Sequence, residues 1–357
     1  CLLLGLCATL HMAARSTIDR VNPIIGTNGM GHTFPGACQP FGFVQLSPDT
    51  DTIPHNIDGK YQPGVYAYCA GYQYKDSSIV GFSHTHFSGT GHSDLGDLLI
   101  MPTVGDLQLN PGTAENPDGG YRSRYTHQTE TSKPGYYEVT LADYGIKAQL
   151  TTTQRVGIHK YTYPKQSDSQ HLILDLIHGI YNYDGKVLWT QLRVENDTLL
   201  TGYRITNGWA RVNYTYFAIS FSKPIQKYGC VEKAKVDYKG GYGKFDMTHN
   251  FPDMGGRKLV TYFDFDPQAG NELEVKVALS GVSTAGALKN LQAEAASCSF
   301  DQLATQAAKR WEQALSVIDA QGSDDQLAML YTSLYHTMIN PCVYMDVDGQ
   351  YRGLDHN

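Results

Sequence analysis

Three stretches of this chain place hydroxyl, imidazole and carboxylate groups among glycines, a composition suited to holding a polar ligand. In Gly81-Phe-Ser-His-Thr-His-Phe-Ser-Gly-Thr-Gly-His-Ser-Asp-Leu-Gly-Asp97, His84 and His86 alternate, so in a strand they share one face. Two imidazoles on one face can ligate a metal such as zinc. They can equally hydrogen-bond sugar hydroxyls or buried carboxylates, because a neutral ring offers one donor and one acceptor. No third ligand stands at a known metal-site spacing, which weighs against the metal. Ser88, Gly89, Thr90, Gly91, His92, Ser93 and Asp94 follow as a turn, and Asp97 closes the stretch. So many small hydroxyls and backbone groups suit a polyol, or a polar loop that satisfies itself.

The second stretch runs from Asn22 to Gly42 and carries glycines that permit tight turns and close approach of backbone to a ligand. It has neither a Gly-Lys-Ser/Thr ending nor dinucleotide spacing, so it is no phosphate loop. By itself it reads as a turn between strands. The third is Asp346-Val-Asp-Gly-Gln-Tyr-Arg-Gly-Leu-Asp-His356. Its Asp-x-Asp-Gly opens like a calcium loop, but the later ligands of an EF-hand do not follow.

The elements that must position these groups change character along the chain. From Arg20 to about Ser280, short apolar runs and strict alternations are split by Gly, Pro, Asn and Asp. Leu259–Phe265 and Leu273–Leu279 alternate, and Leu172–Ile177 and Tyr214–Phe221 are short apolar runs. Many short strands at such spacing predict an antiparallel β-sandwich. After Gly281 the period becomes helical: Phe300, Leu303, Ala304, Ala307, Trp311, Leu315 and Ile318 mark one face. Ser299 is the expected cap, with Asp301 and Gln302 in the first turn. Asp324 to Met338 reads as a further helix, ended by Pro341. The expected organisation is a truncated signal peptide at 1–15, a sandwich at 16–281, a helical linker at 282–340 and the start of a further helical domain at 341–357.

Bulk properties narrow the class. Hydrophobic residues make up 41% and charged residues 18%, which fits a folded chain and excludes disorder. The net charge of -7 argues against nucleic acid or an anionic membrane as partner, since both need basic patches. The 25 tyrosines suit exposed strand faces and also carbohydrate, because one ring offers an apolar face and a hydroxyl. Cys1 to Leu10 is an apolar run of leader length, too short to span a bilayer and followed by small residues suited to cleavage. Export to the periplasm, the cell surface or the medium is therefore expected, with a lipoprotein cysteine at Cys7 disfavoured by the bulky Leu6. Cys38, Cys69, Cys230, Cys298 and Cys342 remain, an odd number without a Cys-x-x-Cys pair, so a zinc ribbon is excluded and buried free thiols, with at most one or two disulfides, are expected.

Taken in order, Val21-Asn-Pro-Ile-Ile-Gly-Thr27, Gly81-Phe-Ser-His-Thr-His-Phe-Ser-Gly-Thr-Gly91, Ser93-Asp-Leu-Gly-Asp97 and Asp348-Gly-Gln-Tyr-Arg-Gly-Leu-Asp355 resemble glycoside hydrolase family 92. Tyr136-Tyr-Glu-Val139 and Val156-Gly-Ile-His-Lys-Tyr161 between them look similar too. The resemblance implies a β-sandwich packed on an (α/α)6 barrel, with the active site in the cleft between them. It implies exo-acting, inverting, calcium-dependent hydrolysis of terminal α-mannose from glycans. The carboxylic acid and the carboxylate that inversion requires, and the calcium ligands, are expected downstream of Asn357, so no catalytic or metal residue is assigned and the chain is expected to be a fragment. The segment from Tyr351 to Asp355 matches the family's start of the barrel, where the Asp contacts the terminal mannose. Asp355 is thus expected to accept from sugar hydroxyls, with Arg352 positioning it. His84, His86, Ser88, Gly89, Thr90, His92, Asp94 and Asp97 are expected to face the cleft as sugar or supporting groups. The competing readings are a carbohydrate-binding sandwich without catalysis and a surface adhesion protein.

Overall fold

Alternation along the strands dictates two packed sheets. In strand Glu272–Ser280, Leu273, Val275, Val277 and Leu279 enter the main core. Ala278 points the other way, onto helices. Tyr137, Val139 and Leu141 of Tyr136–Leu141 repeat the pattern, as do Ile146, Ala148 and Leu150 of Ile146–Thr152. Side chains two apart share a face, so each strand delivers one apolar row to the space between sheets.

The computed structural model describes residues 16–51, 53–89, 94–234 and 248–356. Among these, one sheet has nine strands, in the order Asp253–Gly256, Val187–Asn196, Leu199–Thr206, Asn213–Phe221, Glu272–Ser280, Val156–Thr162, Ile146–Thr152, Tyr136–Leu141, Thr131–Lys133. The facing sheet has seven, in the order Ala37–Cys38, Gln45–Asp49, Gly81–Ser83, Leu99–Thr103, Gln170–Asp175, Leu259–Phe265, Ile225–Glu232. Every pairing in both is antiparallel. The expected leader at 1–15, and Thr90 and His92, lie outside the described residues. No helix among the described residues is long and apolar enough to cross a membrane.

Three helices follow the last strand: α1 (Thr284–Glu294), α2 (Phe300–Leu315) and α3 (Asp324–Met338). Ala287 and Leu291 of α1, with Phe300 and Leu303 of α2, cover Val156, Ile158, Ala218 and Ala278 on the outer face of the nine-stranded sheet. Farther along α2, Trp311 is fully buried beside Tyr335 of α3 and donates from Nε1 to the Cys38 carbonyl at 2.7 Å. Ser299 and Ser323 each close a capping box, with Gln302 and Gln326 as the return partners. The expected apolar stripe holds from Phe300 to Leu315, but Ile318 does not belong to it. The helix stops at Leu315, and Ile318 is 40% exposed. Cys38, Cys69 and Cys230 are buried free thiols, whereas Cys298 and Cys342 reach toward solvent.

Candidate functional site

The strand Gly81–Ser83 ends just before the first histidine, and the chain then runs through the sandwich interior. His84 is fully buried and meets His159 of the opposite sheet, Nε2 to Nε2, at 2.9 Å. The partners at either end settle which nitrogen carries hydrogen. The Leu98 carbonyl can only accept, so His84 Nδ1 donates to it at 2.8 Å. His84 Nε2 is then the acceptor, His159 Nε2 donates, and Tyr161 Oη donates to His159 Nδ1 at 2.7 Å. Both rings are satisfied as neutral groups. Burial holds His84 down at about 4 and His159 well below the usual imidazole range, with His84 adding to the effect on His159.

His86 belongs to a separate, charged network. Its Nδ1 faces the Gln45 carbonyl at 2.9 Å and its Nε2 the Asp49 carboxylate at 2.7 Å. His178 reaches the other Asp49 oxygen at 2.8 Å. Burial alone would raise the Asp49 carboxyl, but the charge and hydrogen bonds of His86 and His178 outweigh it and hold the group well below the usual range. Gly71, at φ +82°, is required here, because a Cβ would stand 2.1 Å from Asp49 Oδ1.

From His178 the network passes to the cleft. The His178 carbonyl accepts from the fully buried Arg204, whose Nη1 donates to Asp97 Oδ1 at 3.0 Å. Thr85 Oγ1 donates to Asp97 Oδ2 at 2.8 Å and accepts from the Gly96 and Asp97 amides. Lys186 lies buried beside them, its ammonium on the Leu95 and Ile180 carbonyls. Burial first, and the Arg204 charge second, lower it to about 7.

Asp97 and Thr85 line a cavity of about 280 Å³, together with Phe43, Gln45, Leu95, Asn213, Tyr214, Thr215, Pro341, Val343 and Tyr344. Its wall therefore comes from the sandwich on one side and from the segment after α3 on the other. Tyr214 joins this cavity to the third sequence stretch, since the Arg352 guanidinium lies 4.7 Å over its ring. Arg352 also donates to the Gly281 and Val282 carbonyls, to Tyr216 Oη at 3.2 Å and to the His356 carbonyl at 3.0 Å. It thereby holds the 353–356 turn, on which Asp355 is exposed.

The sequence-predicted residues thus divide. Asp97 lines the cavity, Arg352 lies over Tyr214 of its wall, and Asp355 stands on the turn whose His356 carbonyl Arg352 holds. His84 and His86 are buried with protein partners. Asp94 is buried, and its two oxygens accept from the Trp209 and Ala210 amides at 2.7 and 2.8 Å. Gly89 is exposed; its amide donates to the His32 carbonyl and its carbonyl accepts from His32 Nδ1, which joins the first stretch to the second, and Ser88 is half-buried. Asp346 is buried against Ser280 and Asn290, and Asp348 pairs with Lys289, so these two aspartates fasten the third stretch to α1 and its approach. Sequence reasoning missed Asp49, His178, Arg204, His159 and Tyr214. Each is tied to the site through a contact distant in sequence, 75 residues for His159 and 107 for Arg204.

The calcium that the family resemblance implies does not fit these residues. Among the described residues no three His, Cys, Asp or Glu side chains converge to hold a metal ion. The Asp97 and Asp346 carboxylates are already engaged by Arg204, Thr85, Ser280 and Asn290.

Comparison with known proteins gives consistent matches. The family model described as the glycosyl hydrolase family 92 N-terminal domain matches residues 20–280, and that of the family 92 catalytic domain matches residues 286–357. A solved family GH92 α-mannosidase from Bacteroides thetaiotaomicron, in complex with mannoimidazole, superposes with a TM-score of 0.85 at 39% identity, over 96% of this chain and 42% of that one. A family GH92 inverting mannosidase from Bacteroides thetaiotaomicron VPI-5482 superposes with a TM-score of 0.76 at 25% identity, over 96% and 43%. An uncharacterized secreted glycosidase of Arthroderma benhamiae is 23% identical over 91% of this chain and 41% of its own length. The chain thus spans less than half the length of these relatives.

Proposed function

The chain belongs to glycosyl hydrolase family 92, and on that premise we propose that the protein it forms part of hydrolyses terminal α-linked mannose from glycans. The observation that carries this reading is the 39% identity, over nearly the whole chain, to an α-mannosidase solved with mannoimidazole. Inversion at the anomeric carbon is part of the proposal, supported by the relative described as an inverting mannosidase. Inversion needs one carboxylic acid to protonate the leaving oxygen and one carboxylate to activate water. We assign both to an (α/α)6 barrel that 341–357 would begin, beyond the residues of this chain. Calcium, which would contact the sugar hydroxyls when bound, is assigned in this proposal to ligands in that same region. Export of the protein is supported by the relative described as secreted.

The residues of this chain would shape and orient. Arg204 and Thr85 fix the Asp97 carboxylate in the cavity wall. Arg352, packed on Tyr214, holds the turn that presents Asp355 to sugar hydroxyls. His84 and His86 would support that wall from within rather than touch the sugar, given their burial. Assay of the full-length protein on α-1,2-, α-1,3-, α-1,4- and α-1,6-linked mannobioses tests the proposal. Mannose release from at least one, abolished by EDTA and restored by calcium, is expected. No release from any of them would defeat it, and release indifferent to EDTA would defeat the calcium assignment.

A further inference from the structure

Trp209 is an apolar surface residue with a fixed seat. It is 73% exposed, on the turn between strands Leu199–Thr206 and Asn213–Phe221. Isolated exposed hydrophobic residues are ordinary, but this one is held by a set of dedicated contacts. The Asn207 amide donates to the Lys186 carbonyl at 2.7 Å, and Tyr183 Oη donates to the Asn207 carbonyl at 2.6 Å. The buried Asp94 carboxylate then accepts from the amides of Trp209 itself and of Ala210. Any Cβ at Gly208 would fall 1.6 Å from Asp94 Oδ1, so the seat admits only glycine at that position.

The turn stands at the rim of the cavity described above. Leu95, next to Asp94, lines that cavity, and so do Asn213, Tyr214 and Thr215, which begin four residues after Trp209. A turn fastened in this way has already lost the freedom that binding would otherwise remove. An indole combines a wide apolar face with one polar N–H, which matches the flat C–H face and hydroxyl rim of a pyranose. The cavity, mostly apolar with Asp97, Thr85 and Asn213 in its wall, suits the terminal ring, and the rim suits the ring behind it.

We propose that Trp209 is a stacking platform for the second or third sugar of an α-mannose oligosaccharide, with Asp94 as the residue that positions it. This inference rests on the mannosidase reading for the identity of the sugar. The test uses full-length protein and compares kcat/KM for α-mannotriose with that for an aryl α-mannoside. In Trp209→Ala the ratio of the two falls about five- to tenfold, the scale of one aromatic stacking contact. Trp209→Tyr restores part of the loss, and the melting temperature of either variant stays near that of wild type. An unchanged ratio overturns the platform. Wild-type protein inert on every α-mannoside would instead sink the hydrolase reading. The platform is then judged by calorimetric titration with mannotriose: binding lost in Trp209→Ala upholds it, and equal binding, or none by wild type, overturns it.

Discussion

Tyr161, His159, His84 and the Leu98 carbonyl form one hydrogen-bonded line between the sheets, in which both imidazoles are neutral. Their folded-state affinities for protons lie below those of the unfolded chain, with His84 at about 4. The unfolded state therefore binds more protons as the medium acidifies, and stability is lost as pH falls from about 6.5 toward 4. The melting temperature is expected to drop through that window, and to drop less steeply in a variant carrying both His84→Gln and His159→Gln. An equal slope in the two proteins would contradict the neutral pair. Asp355 makes the opposite kind of residue, exposed and outside any core. In full-length enzyme, Asp355→Ala is expected to lower kcat/KM about ten- to hundredfold, the worth of a charged hydrogen bond to a hydroxyl. A variant that melts lower yet hydrolyses normally would show that Asp355 only secures its turn. At this scale the sequence revealed which stretch was polar but not whom it touches. Alternation marks His84 and His86 as neighbours on a face, yet His84 bonds a residue 75 positions away, and Asp49 is joined to His178 across 129. Such pairs exist only once two sheets have closed.

Local signals were more legible for the elements. The alternation of Leu273, Val275, Val277 and Leu279 is sufficient to orient its strand, because one row must enter the core. Ser299 was readable as a cap from its type and its place before Phe300, and the structure adds a reciprocal box with Gln302. Replacing Ser299 or Ser323 by Ala is expected to cost about 1 kcal/mol each, read as a lower melting temperature, and the two losses should add because the helices are capped independently. A larger loss would show that the hydroxyl supports packing as well as the helix end. Periodicity overran the end of α2: Ile318 fits the spacing, but spacing carries no signal for the break after Leu315. The Asp346–Asp348 motif was ambiguous for a different reason. Its carboxylates resemble the opening of a calcium loop in sequence, and only the fold shows Asn290, Ser280 and Lys289 waiting for them.

At the scale of the whole molecule, a β-sandwich shares its cavity with the segment that follows the third helix. The cavity takes Thr85, Asp97 and Tyr214 from the one and Pro341, Val343 and Tyr344 from the other. In the proposed function that arrangement would supply recognition, and the reacting carboxyl pair is assigned to the larger part of the relatives' length that this chain does not span. The ordered motifs made the family legible from sequence because several short pieces recur in the same succession, although none is specific by itself. The central claim, inverting release of terminal α-mannose, is tested most directly by following the full-length protein on an α-linked mannobiose with proton NMR in the first minutes of reaction. The account predicts that the β-anomer of mannose appears first and that the α-anomer grows in later by mutarotation. Initial α-mannose, or an intact disaccharide with every linkage, would contradict it.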